Sequence, residues 1–372
     1  MTPAMKHVRT LFAFGAFAAA ALACSSTNTT ASPDGGTSSG GGGGSCDAPV
    51  SVEKDSYCES CTPSAGAVPA TCKAPRTVNA CCTWVQPPSQ PLSRGTGLNR
   101  YSSNDPTIDL ACLDTPAAQG ASQTITLKGH VRLFSSGGDS KGAKIEIFKQ
   151  GDDGALGELV GAAVLSSDSD TDVKTETFLK KCPDGGCTLR AYQYPSVPTE
   201  TRLVVKTSDA TGGGQWADLY DYDIYFSSTD VKDGVVEYEP SVVAATDINT
   251  VASAAGGFTV KQDKGLLAGE VHDCADVRIA GATVDIDAAH EADIFYFGEN
   301  ESDPLPDKSR GALGTSKLGL FGTLNVTTGV PIRISAIGKQ GDQTILLGTT
   351  IVRTFPGAVT ALRLRGRRPW QK

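Results

Sequence analysis

Apolar and polar residues alternate with a period of two through much of the chain beyond residue 120. Residues 143–147 read Ala-Lys-Ile-Glu-Ile, and residues 332–336 read Ile-Arg-Ile-Ser-Ala. This period sends successive side chains to opposite faces, so each segment is expected to be a strand with one buried face. Residues 202–206, Arg-Leu-Val-Val-Lys, read the same way. In residues 216–226 the even positions hold Trp216, Tyr220, Tyr222, Ile224 and Phe226, with Asp221 and Asp223 between them. That pattern predicts a half-buried strand with aromatic rings inward and aspartates outward. Small residues dominate 244–257, which reads as a boundary between two strand-rich regions.

Those regions echo each other. Leu127, Gly129 and Val131 recur as Leu267, Gly269 and Val271, and Gly142, Ala143, Ile145 and Ile147 recur as Gly281, Ala282, Val284 and Ile286. The spacing implies two copies of one unit, over residues 121–243 and 258–368. The second copy continues with Thr315, Gly319 and Phe321, then Gly329 ahead of the strand at 332–336. Gly-x-Val, Gly-Ala-x-Val-x-Ile and Thr-x-x-x-Gly-x-Phe in this order resemble the carboxypeptidase regulatory-like, or transthyretin-like, domain. The resemblance spans about 265–366 and, less fully, 123–238, where a Cys-flanked turn is inserted. It implies an all-β protein with two Greek-key β-sandwiches acting as folding or interaction modules.

The N-terminus reads differently. Lys6, His7 and Arg9 precede an apolar run over 11–23 that is too short to span a membrane, which is the arrangement of a cleaved signal peptide over residues 1–23. Residues 21–24, Ala-Leu-Ala-Cys, resemble the lipobox of bacterial lipoproteins, which implies diacylglycerol on Cys24. Ala21-x-Ala23 also fits ordinary signal peptidase. After Cys24, the rest of residues 24–45 is mostly Ser, Thr, Gly and Asn, with one Ala, one Pro and one Asp and no large hydrophobe to bury, so the stretch is expected to be a disordered tether. By the same resemblance, Ser25 implies sorting to the outer membrane.

Composition narrows the picture. The chain has 39% hydrophobic and 20% charged residues, with 42 Gly, 20 Pro and 2 Met, which favours short strands over long helices. Of 11 cysteines, ten remain beside Cys24, an even number suited to disulfides in an exported protein. Six lie between Cys46 and Cys82, where cross-links are expected to replace a core in a small module over residues 46–114. Cys58-x-x-Cys61 with Cys81-Cys82 also has the outline of a zinc knuckle, but nearby His is lacking. Cys182 and Cys187 flank Pro-Asp-Gly-Gly, a turn signature, and are expected to bridge each other. Cys112 and Cys274 are left to join the N-terminal module to the last domain.

A net charge of −8 and a pI near 5.1 argue against a nucleic-acid partner. Arg363, Arg365, Arg367, Arg368 and Lys372 form a basic end, read as a solvated tail. For acid–base or metal chemistry only His130, His272 and His290 are available beyond the leader, and no nucleophile motif accompanies them. Asp168, Asp170 and Asp172 imitate the start of a calcium loop, but Val173 stands where such a loop needs Gly and Leu179 where it needs Glu. Gly212, Gly213 and Gly214 read as a turn. The sequence therefore predicts no catalytic residue, cofactor or metal. It predicts a lipid-anchored cell-envelope protein that binds the membrane through Cys24 and serves as a structural or interaction module for an envelope protein or polysaccharide. The alternative is a carbohydrate-binding or adhesion module built on the aromatic strand.

Overall fold

The computed structural model describes residues 98–100, 107–114, 117–134, 138–177, 182, 186–302, 304–311, 313–340 and 343–370. The leader, Cys24, the tether and the six cysteines from Cys46 to Cys82 lie outside these residues. The described chain is mostly β-strand with few helices, in agreement with the all-β expectation.

β1 (Asn99–Arg100) precedes the first half, whose strands are β2 (Thr124–His130), β3 (Arg132–Leu133), β4 (Ala143–Gln150), β5 (Leu156–Leu159), β6 (Val164–Leu165), β7 (Val173–Glu176), β8 (Cys187–Pro198), β9 (Leu203–Asp209), β10 (Trp216–Ala217), β11 (Leu219–Ile224), β12 (Val235–Glu237) and β13 (Ser241–Ala244). The second half holds β14 (Gly265–His272), β15 (Ile279–Ala280), β16 (Thr283–Ile286), β17 (Phe295–Tyr296), β18 (Leu320–Val326), β19 (Ile332–Gln340), β20 (Gln343–Val352) and β21 (Val359–Arg365). A four-residue helix, α1 (Ala111–Asp114), precedes the first half, and α2 (Ala245–Gly256) separates the two.

The internal repeat returns as a repeat of pairing. In the first half, β2 lies antiparallel to β8 and parallel to β12, while β9 lies antiparallel to both β4 and β11. In the second, β14 lies antiparallel to β18 and parallel to β21, while β19 lies antiparallel to both β16 and β20. The echoed Ile147 and Ile286 face Val205 and Ile334 across these ladders. The echoed Gly129 and Gly269 lie inside strands. A Cβ on Gly129 would sit 2.1 Å from the Tyr238 carbonyl oxygen, and one on Gly269 2.6 Å from the Phe321 ring, so close approach explains both.

The halves are not separate bodies joined by a linker. β21 pairs in parallel with β11, Leu219 opposite Val359 and Asp221 opposite Ala361, so one nine-stranded sheet runs β17-β18-β14-β21-β11-β9-β4-β5, with β6 also on β4. A layer of the first half thus continues edge to edge into a layer of the second. Ile125, Leu127, Ile145, Tyr194 and Trp216 lie in one core, while Leu267, Phe321, Ile334 and Leu362 lie in the other. Val204, Tyr220 and Tyr222 come from first-half strands but bury in the second core.

This changes the reading of three segments. Residues 216–226 are not one half-buried strand: Trp216, Ile224 and Phe226 enter the first core, Tyr220 and Tyr222 the second. The register shifts between Asp221 and Ile224, where Asp223 takes a φ of 58° and is itself buried at 4% exposure. The basic end is not a tail, because Arg363 and Arg365 belong to β21 in the middle of the sheet. The small-residue boundary is the helix α2, whose Ile248 and Ala252 pack on Leu266 and Val359. Alanine's helix propensity carries it through this small-residue stretch.

Residues 98–100 and 107–114 precede the first half but dock on the second. β1 pairs with β15, Leu98 and Leu113 are buried in the second core, and Ile108 and Leu110 pack against it. Burying Leu98 and Leu113 stabilises by about 1.5–3 kcal/mol each, with a smaller gain from the half-buried Ile108 and Leu110, against roughly 1–2 kcal/mol for each of eleven described residues ordered. The balance is made up by the Cys112–Cys274 disulfide, Cα–Cα 5.6 Å, which closes a separation of 162 residues and contributes on the order of 5 kcal/mol.

Candidate functional site

A dense set of ionisable groups lies where β14, β21 and the turn after β14 meet. Strand alternation turns Leu267, Gly269 and Val271 toward the second core and puts Glu270 and His272 on the opposite face, with the same division on β21 between Leu362 or Leu364 and Arg363 or Arg365. Parallel pairing then sets Glu270 beside Arg363 and His272 beside Arg365. The turn contributes Asp273, Asp276 and Arg278.

Both ring nitrogens of His272 are held by carboxylates: Nε2 lies 2.8 Å from Glu270 Oε2, and Nδ1 lies 2.9 Å from Asp276 Oδ1. Arg278 reaches Glu270 at 3.3 Å and Glu301 at 3.0 Å, and Arg365 reaches Asp276 at 3.1 Å. Glu270, His272 and Arg278 are each at most 4% exposed. Burial alone would push the Glu270 carboxyl up, but Arg278, His272 and Arg363 outweigh it and bring it down to about 2. Burial would likewise lower His272, yet Asp276 and Glu270 raise it above its ordinary value. Farther along the seam, burial pushes Asp221 up to about 6 against the pull of Arg363 and of the Tyr238 hydroxyl, which donates to Asp221 Oδ2 at 3.2 Å. An imidazole with a carboxylate at each nitrogen offers no lone pair to a hydroxyl or thiol, so the geometry suits a charge-balanced clamp.

The clamp adjoins the N-terminal staple. Asp273, 1% exposed, accepts the backbone N–H groups of Ala275 and Val277 through Oδ1 and that of Asp109 through Oδ2, while Arg100 Nε lies 2.7 Å from Oδ2. Cys274 N–H donates to the Asp109 carbonyl, and Cys274 bonds to Cys112.

A second buried pair lies at the junction of the halves. Arg202 Nε donates to Asp223 Oδ1 at 2.7 Å and its Nη2 donates to Thr350 Oγ1 at 2.9 Å, while Asp223 N–H donates to Gln150 Oε1 and Gln150 Nε2 to the Ile351 carbonyl. Tyr222 donates to the Gly154 carbonyl, and Tyr220 stacks on Phe355 with ring centroids 4.0 Å apart. Trp370 closes the C-terminus against Tyr225 and the Arg202 guanidinium.

The three histidines sit on different elements: His130 ends β2, His272 ends β14, and His290 bonds the Ala288 carbonyl in the loop after β16. In the acidic loop, Asp170 and the Ser169 carbonyl take Arg190 Nη1, Asp139 takes the rest of that guanidinium, and Asp168 faces Lys141. An arginine occupies the place a cation would take, and no metal-binding group of His, Cys, Asp and Glu occurs among the described residues. Cys182 and Cys187 are bridged, Cα–Cα 4.9 Å, at the start of β8. Gly212 to Gly214 form the turn between β9 and β10. Trp216 is 3% exposed with its indole N–H on the Lys141 carbonyl, so the aromatic strand is core and offers no stacking platform for a sugar. Cys24 lies outside the described residues. Among those described, no helix is long and apolar enough to cross a membrane.

Sequence reasoning missed Glu270, Asp276, Arg278 and Arg202. A signal was present in Glu270-x-His272 and Arg363-x-Arg365, charges two apart on two strands of one sheet. No protein-family model and no curated protein matches the chain.

Proposed function

We propose that this protein is an exported, lipid-anchored, non-catalytic component of a bacterial cell envelope, whose fused double body serves as a structural or interaction module at the surface. The observation that carries the reading is the Cys112–Cys274 bond. It ties the N-terminal segment into the second core, a type of staple that persists in oxidising compartments, which is where the leader over 1–23 would deliver the chain. Each half is taken as a Greek-key sandwich of the carboxypeptidase regulatory-like kind, supported by the shared pairing order. His272, clamped at both nitrogens, supports a role without catalysis. The membrane is met through Cys24, and the partner of the body is an envelope protein or polysaccharide.

The test is expression of the full precursor in a bacterial host with and without globomycin, followed by fractionation and mass spectrometry of the mature N-terminus. Diacylglyceryl-modified Cys24 in the outer-membrane fraction, lost in Cys24→Ala, is the expected outcome. An unmodified N-terminus in soluble material overturns the anchor, and retention of the uncleaved chain in the cytoplasm overturns export.

A further inference from the structure

We propose that residues 98–100 and 107–114 form a strap that closes onto the second half only when Cys112 and Cys274 are oxidised, so that the second core is completed by the redox state of the surroundings. The proposal rests on described residues alone and stands whether or not Cys24 carries lipid.

The seat for the strap is built from the second half itself. Asp273 organises its own turn through the N–H groups of Ala275 and Val277, Asp273 N–H donates to the Val277 carbonyl, and the His272 clamp holds Asp276. The strap has little of its own: β1 is two residues, α1 is four, and helices this short do not persist alone. Yet it supplies core. Leu98 lies where a Cβ on Gly338 would come 2.2 Å from its Cδ2, and Leu113 is 2% exposed. Its burial alone falls short of the entropy of ordering it, so the covalent bond decides whether it stays. Gly366 packs against the bridge so closely that a Cβ there would lie 1.9 Å from Cys112 Sγ.

Closure proceeds by thiol–disulfide exchange with a protein or low-molecular-weight disulfide. The Cys112 thiolate attacks the donor disulfide and expels one donor thiolate, and the Cys274 thiolate then attacks Cys112 Sγ and expels the other. The two cysteine thiols give up two protons and two electrons, and the donor disulfide becomes two thiols.

Hydrogen exchange of the full-length, folded protein tests this. Graded reductant is applied to a Cys182→Ser/Cys187→Ser background, with opening of the 112–274 bond read by loss of the cross-linked peptide pair. Exchange over 98–100, 107–114, 277–286 and 332–338 is expected to rise at least tenfold as the bond opens, with β2 and β8 unchanged. Cys112→Ser in the otherwise wild-type chain is expected to reproduce the pattern without reductant. An open bond with unchanged exchange over 107–114, or an equal rise in β2 and β8, overturns the strap.

Discussion

Gly366 lies against the Cys112 sulfur with no room for a side chain: a Cβ at that position would stand 1.9 Å from Sγ and 3.3 Å from the sulfur of Cys274. Its N–H is fixed to the Leu347 carbonyl at 2.6 Å and its φ is 44°, so the backbone is not free to move aside. Gly366→Ala should therefore destabilise by more than about 2 kcal/mol, combining steric overlap with a positive φ. Thermal melts with a free-thiol count check it. A melt equal to wild type with the bond intact would show that the contact is looser than described.

Removing the carboxylate that His272 and Arg278 share should be severe. Glu270→Ala leaves two buried cationic groups short of a partner, an effect of about 3–5 kcal/mol. Urea denaturation provides the number, and a loss below about 1 kcal/mol would mean that Asp276 and Glu301 suffice.

The same residues predict a pH profile. Glu270 is held at about 2, below its ordinary 4.5, so its contribution is present above pH 4.5 and disappears as pH falls toward 2. Asp221 acts oppositely: raised from 3.8 to about 6 by burial, it penalises folding increasingly as pH rises from about 4 to 6. His272, raised above 6.5, favours folding below that pH and loses this as pH climbs through its raised value. Asp221→Asn should hence gain on wild type between pH 4 and 6, while Glu270→Gln flattens the acid limb. Parallel stability curves from pH 3 to 8 would refute both assignments.

At the junction, Arg202 and Asp223 are buried partners that Thr350 of β20 also contacts. A double-mutant cycle with Arg202→Ala and Asp223→Ala should return a coupling energy above about 1 kcal/mol. Exchange in β20 should rise in either single variant, because these groups tie it to β9 and β11. Additive single effects would show the pair to be incidental.

Trp216→Ala should cost about 3–5 kcal/mol as a core truncation and leave any response to glycans unchanged. A glycan-induced fluorescence change that disappears in this variant would restore the aromatic strand as a binding surface.

Much of the fold was legible because strands advertise themselves by alternation, and because Gly129 and Gly269 recur within matching apolar triplets. The Cys182–Cys187 bridge was legible from the turn residues between its partners. What escaped was long-range. Nothing local to Leu219 or Val359 says that they pair in parallel, and that pairing turns two repeats into one sheet. It also sends the alternate side chains of 216–226 into two cores, and it converts Arg363 and Arg365 from an apparent tail into partners of Glu270 and Asp276. Charges on a strand read as solvent-facing until the neighbouring strand is known.

The Cys112–Cys274 bond has a mechanical consequence. A pull applied through the N-terminal segment passes from Cys112 straight to Cys274, so the 162-residue separation between them is taken out of the load path. Roughly 550 Å of extended chain cannot be paid out between the two ends while that bond stands, even if every strand of the first half were to come apart. Under load, the protein would keep its reach.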